Sequence, residues 1–135
     1  MMKAYLSHQI RGPQGKDATD LDMVTNCTRA EAVGKFIKEL MPKLDLHIPA
    51  EHEAFVNLAY QNKYLSEKQI LDIDCQIISD CNLLFVFIQN DWIGGGTGIE
   101  IKFAQEHHIP IYFIYGGTIP AIEKVINIVK HDFEK

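Results

Sequence analysis

Six consecutive apolar residues, LLFVFI at 83–88, constrain this fold more than any other feature. The run lacks the polar alternation of a half-exposed strand, so it must be covered on both faces. It is also far too short to span a membrane. Three further strand-like segments accompany it: KAYLS (3–7), LDLHIP (44–49) and PIYFIYG (110–116).

Helical patterns fill the intervals. Ala30, Val33, Phe36, Ile37 and Leu40 recur at helical spacing, with Asn26 or Thr25 as the cap and Pro42 as the stop. AEHEAFVNLAYQ (50–61) has a helical pattern. Ser66 caps a helix that places Ile70, Ile73, Ile77 and Ile78 on one face, and helices follow over 97–108 and 118–132. Residues 8–23 read as a long polar loop broken by Gly12, Pro13 and Gly15, of a length that is often functional. Strands alternating with helices predict one α/β domain over 1–135. Its expected form is a flavodoxin/Rossmann-like three-layer sandwich with a central parallel sheet of four or five strands.

The formal net charge of −5 and pI near 5.6 exclude the broad basic face that holds a nucleic acid polymer. A small nucleotide, met by local donors, stays open. No apolar run in the chain is long enough for a signal peptide or a membrane anchor. Cys27, Cys75 and Cys81 are odd in number and lack metal-type spacing, which fits a reduced, cytoplasmic protein with inert core thiols. His107 and His108 close a helix without further ligands at metal spacing, so no metal and no cofactor is implied.

In parallel sheets, ligands sit beyond the carboxyl ends of the strands, where the strand order reverses. The stretch NDWIGGGTGIEIKFAQ (90–105) belongs there. Free amides at a helix start make an anion site, and Gly94, Gly95, Gly96 and Gly98 admit a ligand close to the main chain, with Thr97 adding a hydroxyl. The glycines serve equally well as a tight turn with close helix–sheet packing. Glu100, within a turn of them, is either a carboxylate favoured by the helix dipole or one aimed into the site. Asp74 lies between Ile70 and Ile77 on or beside an apolar face, where an aspartate is costly unless paired or functional. Asp72 and Asp80 read as solvent-facing or helix-terminal carboxylates. Beyond the first strand stand Tyr5, Ser7, His8 and the triplet Ile10, Arg11, Gly12. The planar fork of Arg11 suits a phosphate, and His8 reads as a capping polar group.

Taken in order, YLSHQIRG, ILDIDCQIISDCNLLFVF and GGGTGIEIKFAQEHHIPIYFI resemble the nucleoside 2-deoxyribosyltransferase superfamily, including its 2′-deoxynucleoside 5′-monophosphate N-glycosidase branch. The resemblance covers nearly the whole chain, with its motifs concentrated in the last third. It implies that Glu100 is the nucleophile on the anomeric carbon and that Asp74 is the upstream active-site aspartate. It further implies that Tyr5 is the first-strand aromatic and that Ile10, Arg11 and Gly12 form a phosphate-binding loop. A homo-oligomer whose subunits complete one another's sites follows from the same likeness. Two departures stand out: Gly94 replaces the aspartate of the transferases or the serine of the monophosphate hydrolases, and Asn82 stands where an aspartate commonly begins the hydrophobic strand. The region 41–65 has no counterpart and is free to reshape the pocket or to form an interface. The expectation is an N-glycosidase or deoxyribosyltransferase acting on a small nucleotide or nucleoside. A non-catalytic module for a nucleotide or ADP-ribose-like ligand is the alternative, and a fold relative used only for protein contacts is a third reading.

Overall fold

The computed structural model describes residues 2–134. Four strands, β1 (Lys3–Ser7), β2 (Asp45–His47), β3 (Leu83–Ile88) and β4 (Ile111–Tyr115), form one parallel sheet in the order β2-β1-β3-β4. Five helices flank it: α1 (Asp20–Leu40), α2 (Glu53–Gln61), α3 (Glu67–Ser79), α4 (Gly95–Glu106) and α5 (Ile119–Phe133). The architecture is a flavodoxin/Rossmann-like three-layer sandwich with four strands. All six residues of β3 are buried, as a central strand with helices on both sides requires.

Alternation along β1 divides the core. Ala4 and Leu6 face α1 and α5, joining Val33, Ile37, Ile114, Ile122, Ile126 and Val129. Tyr5 faces the other way, with Leu84, Val86, Ile78 of α3 and Ala104 of α4. The order reverses between β1 and β3, so their carboxyl ends open the crevice in which such sheets bind ligands.

Several boundaries differ from the sequence expectation, each for a local reason. Helix α1 starts at Thr19, not near Asn26: Thr19 accepts from the Asp22 amide while Asp22 accepts from the Thr19 amide. Its first turns carry exposed Leu21 and Val24, so apolar periodicity begins only later. Asn26 is buried in mid-helix and donates to the Ile10 carbonyl, fixing the loop after β1. That loop is itself partly ordered as a 3₁₀ segment over Gly12–Asp17. Pro49 ends β2 early and opens a second 3₁₀ turn, Pro49–His52, ahead of α2. Ser66 caps α3 in a capping box with Gln69. On α3, Ile78 is fully buried but Ile73 is 44% exposed and leaves the predicted apolar face. Cys75 and Cys81 are only half-buried, whereas Cys27 is buried.

Asn82 is also relocated in meaning. Its side chain accepts from the Lys3 amide at 2.8 Å and its own amide donates to the Lys3 carbonyl at 2.7 Å. It therefore clamps the amino ends of β1 and β3, at the opposite end of the sheet from the crevice. The departure from aspartate at this position touches strand pairing, not the site.

Candidate active site

The crevice holds a cavity of about 430 Å³, within the usual range for small-ligand sites. Its floor is the end of β1 and one face of α4. Tyr5 and Ser7, two residues apart, point to the same side of the sheet, where α4 lies. On α4, Thr97, Glu100 and Ala104 are the buried positions, spaced as one helical stripe. Ala104 meets the apolar middle of the sheet, while Glu100 meets its polar end. The Tyr5 hydroxyl donates to Glu100 Oε2 at 2.6 Å and the Ser7 hydroxyl donates to Glu100 Oε1 at 2.6 Å. Both carboxylate oxygens are thus fixed by short charge-assisted bonds.

Glu100 is 5% exposed. Burial pushes its carboxyl up from 4.5 to about 7, the hydroxyls of Ser7 and Tyr5 pull it partly back, and the nearby charge of Asp74 adds to the rise. This corrects the reading of Glu100 as a first-turn residue held ionised by the helix dipole. Helix α4 begins at Gly95 and carries no acid in its first turn, so Glu100 lies in the second. What stabilises its charge is the pair of hydroxyls. Asp74, half-buried on α3, is raised from 3.8 to about 6 by burial, with the Tyr5 hydroxyl acting in the opposite sense. Tyr5, fully buried beside two carboxylates, has its own pKa raised well above the ordinary value, by burial first and then by Glu100 and Asp74. It stays a proton donor.

The glycines separate on inspection. Gly94 caps α4, and a Cβ there would lie 2.6 Å from Trp92 Cη2, so its smallness makes room for the Trp92 ring. Gly95 has open space around its Cα, and a Cβ on Gly96 would meet only Leu71 at an ordinary 3.6 Å. All three line the cavity, as does Thr97. At the rim, Ile10, Arg11 and Gly12 also line it. Gly12 needs its left-handed φ of 74°, and Arg11 stacks its guanidinium over Tyr60, 5.9 Å from the ring centroid. Of the residues read as ligand contacts in the sequence, Ser7 and Gly98 do not line the cavity; Ser7 acts on Glu100 from beneath.

His8 has a settled role. Its Nε2 accepts from the Ala50 amide at 3.1 Å, which requires the neutral tautomer with Nδ1–H directed at the Gln9 carbonyl. Burial lowers its pKa accordingly. It ties the loop after β1 to the turn before α2.

Sequence reasoning missed two walls. Glu53, Val56, Asn57 and Tyr60 on α2, and Glu67, Ile70 and Leu71 on α3 beside the expected Asp74, line the cavity. Both sets follow the i, i+3, i+4, i+7 pattern, so the signal was present but mixed in polarity, unlike a core stripe. Gln9 was missed too. It lines the cavity, is 8% exposed, and its Oε1 has no partner among the described residues. Trp92 follows a turn whose central residues Asn90 and Asp91 both have positive φ.

No group of three metal-ligating side chains occurs among the described residues, and none of their helices is long and apolar enough to cross a membrane. Burial raises the Cys27 and Cys81 thiols to about 11 and lifts Cys75 as well, so none is an activated thiolate. The chain matches no protein-family model, no curated protein and no solved structure.

Proposed function

We propose that the crevice is the active site of an N-glycosidase or deoxyribosyltransferase acting on a nucleotide or nucleoside. The observation that carries the reading is Glu100, buried at a ligand-sized cavity with both oxygens oriented by Tyr5 and Ser7 and with Asp74 beside it. In this scheme a Glu100 oxygen attacks C1′, and the C1′–N bond breaks with its electron pair leaving on the base. Asp74 gives its proton to that base. Water, or a second base in the transferase case, then attacks C1′, frees the Glu100 carboxylate and returns a proton to Asp74.

The assignment of roles follows hydrogen bonding. Glu100 accepts at both oxygens, the pattern of an ionised and oriented nucleophile, while among the described residues no donor fixes Asp74 except the hydroxyl it shares with Glu100. Productive enzyme needs Glu100 ionised and Asp74 protonated. With Glu100 near 7 and Asp74 near 6, that is the minor singly protonated form. A bell-shaped kcat/KM profile with its maximum between about 6 and about 7 is expected.

Arg11 holds a 5′-phosphate in this reading, with the amides of Gly95 and Gly96 in support and Thr97 in place of the hydroxyl that Gly94 lacks. Gln9, whose Oε1 has no partner among the described residues, reads the sugar or base by accepting from it. Phe55, Leu58 and Tyr64, all more than 60% exposed, supply a face for a homo-oligomer. Ile48 is in the core, and Val56 and Tyr60 are spent on the cavity.

A non-catalytic nucleotide-binding module is the second reading. It is favoured by Gly94 and by a Glu100 already satisfied within the protein. Incubation with a nucleoside and nucleotide panel, followed by chromatography for free base, decides between them. Base release that falls by about a thousandfold or more in Glu100→Gln supports the enzyme; saturable binding with no release by wild type supports the module. Arg11→Ala should raise KM for monophosphates about tenfold and leave nucleosides nearly unchanged.

A further inference from the structure

The main chain is held on both sides of Arg11. The Ile10 carbonyl accepts from the Asn26 side chain at 2.9 Å, and Gly12 takes its left-handed φ of 74°. Arg11 itself stands at the head of the 3₁₀ segment with φ −82° and ψ −30°. What the backbone leaves open is the direction of a long side chain with many rotamers. No carboxylate lies within ion-pair distance of Arg11 among the described residues. An unrestrained guanidinium would present its fork to a bound phosphate in only a few of those rotamers, and binding would carry the cost of choosing them.

Helix α2 supplies a restraint. The Arg11 Cζ lies 5.9 Å from the centroid of the Tyr60 ring, within cation–π range. Glu53, two helical turns earlier on the same face of α2, lines the same cavity as Arg11 and Tyr60. Burial raises the Glu53 carboxyl, the charge of Arg11 pulls it back, and the charge of Asp74 adds to the rise. The two α2 side chains therefore act on Arg11 in different ways. The ring orients the guanidinium from its flat side and uses none of its N–H donors, so the whole fork stays available to oxygen atoms. The carboxylate offsets part of the positive charge and repels a second anion brought to it.

Building on the reading of Arg11 as the phosphate contact, we infer that α2 sets how well this site holds a phosphate-bearing ligand. Tyr60 is a positioning residue that keeps the Arg11 guanidinium ready for phosphate oxygens, and Glu53 weakens the same grip. Tyr60 meets part of the ordering cost in the free protein, before a ligand arrives. Glu53 narrows the preference for monophosphates over nucleosides, because only the former bring a second anion to Arg11. Neither role requires that a bond be cleaved.

The test titrates a panel of 2′-deoxynucleosides and their 5′-monophosphates into Glu100→Gln protein, in which the proposed nucleophile is gone. Binding is read from the fluorescence of Trp92, the chain's single tryptophan and a lining residue of the cavity. Adding Tyr60→Leu should raise Kd for the monophosphates about three- to tenfold and leave the nucleosides unchanged. Tyr60→Phe, which keeps the ring, should bind as the parent does. Glu53→Gln should tighten the monophosphates about three- to tenfold, again without moving the nucleosides. In an Arg11→Ala background Tyr60→Leu should have no further effect, since it acts only through the guanidinium. Equal weakening of nucleosides and monophosphates by Tyr60→Leu overturns its positioning role, as does a loss of the same size without Arg11. A panel in which no monophosphate binds, or one that Glu53→Gln leaves unmoved, overturns the control by α2. The expected Kd pattern with no base released by wild type leaves this role of α2 standing while the glycosidase reading fails. Base release by wild type with Kd values indifferent to Tyr60 and Glu53 does the reverse.

Discussion

On the α1/α5 side of the sheet, Leu6, Ile37, Ile114, Ile126 and Val129 pack as an apolar block with almost no exposure. On the α3/α4 side the matching layer is smaller, and the fully buried Tyr5 carries its hydroxyl to a buried carboxylate. One face lowers the free energy of the fold. The other spends part of that stability on groups that prefer water, which is the usual relation between a scaffold and a reactive site. Because the two faces share the same four strands, substitutions can address each without rebuilding the other.

The largest stability effect should come from the scaffold face. Ile37→Ala removes a fully buried side chain and is expected to cost about 2–5 kcal/mol. Urea unfolding measures this, and kcat/KM per folded molecule should hardly move. A comparable loss of turnover in the folded fraction would show that the two faces are not separable.

Next is Glu100→Gln, read as stability instead of activity. In the folded protein Glu100 keeps its proton up to about 7, against 4.5 ordinarily. Between those values the folded state binds more protons than the unfolded state, so wild-type stability falls as pH rises through this window. Asp74, raised to about 6, acts in the same direction. Glutamine has no charge to bury. The variant should therefore be more stable than wild type at pH 8 by up to about 3 kcal/mol, and the gain should shrink towards pH 4. Thermal unfolding across pH checks it; a pH-independent difference would remove the penalty assigned to this carboxylate.

A smaller effect sharpens the same point. Ser7→Ala deletes a bond that lowers the Glu100 pKa. In the glycosidase reading the maximum of the pH–rate profile should fall about tenfold, and its high-pH limb should move upward while the low-pH limb stays. Tenfold loss with an unchanged profile would mean that Ser7 only packs.

The layer order and the central strand were legible because LLFVFI admits few alternatives and each strand is followed by a helical period. The convergence of Tyr5, Arg11, the glycines and Glu100 was legible from topology, since they belong to segments that meet at the crevice, and Asp74, in the middle of α3, was legible from the cost of a carboxylate beside an apolar face. Geometry supplied what sequence could not. That Ser7 and Tyr5 both grip Glu100 depends on which face α4 covers. That Gly94 serves Trp92, and Asn82 the amino ends of β1 and β3, depends on contacts among residues that carry no periodic signal. The lining faces of α2 and α3 stayed hidden because each mixes acids with apolar residues, and a stripe of mixed polarity does not stand out as a buried one.

The sheet also stops one strand short of the five that its order could accommodate. Strand β4 lies at its margin, and the outer backbone groups of IYFIY pair with no other strand among the described residues. The segment is uncharged and rich in β-formers, the composition that recruits a strand from another molecule. The last turn of α5 lies over it: Asp132 accepts from the Tyr112 hydroxyl at 2.7 Å, and Phe133 tilts against the Tyr112 ring. Asp132 and Phe133 thus act as a cover for an otherwise open strand margin, one of the ways in which a sheet edge is kept from pairing with another chain.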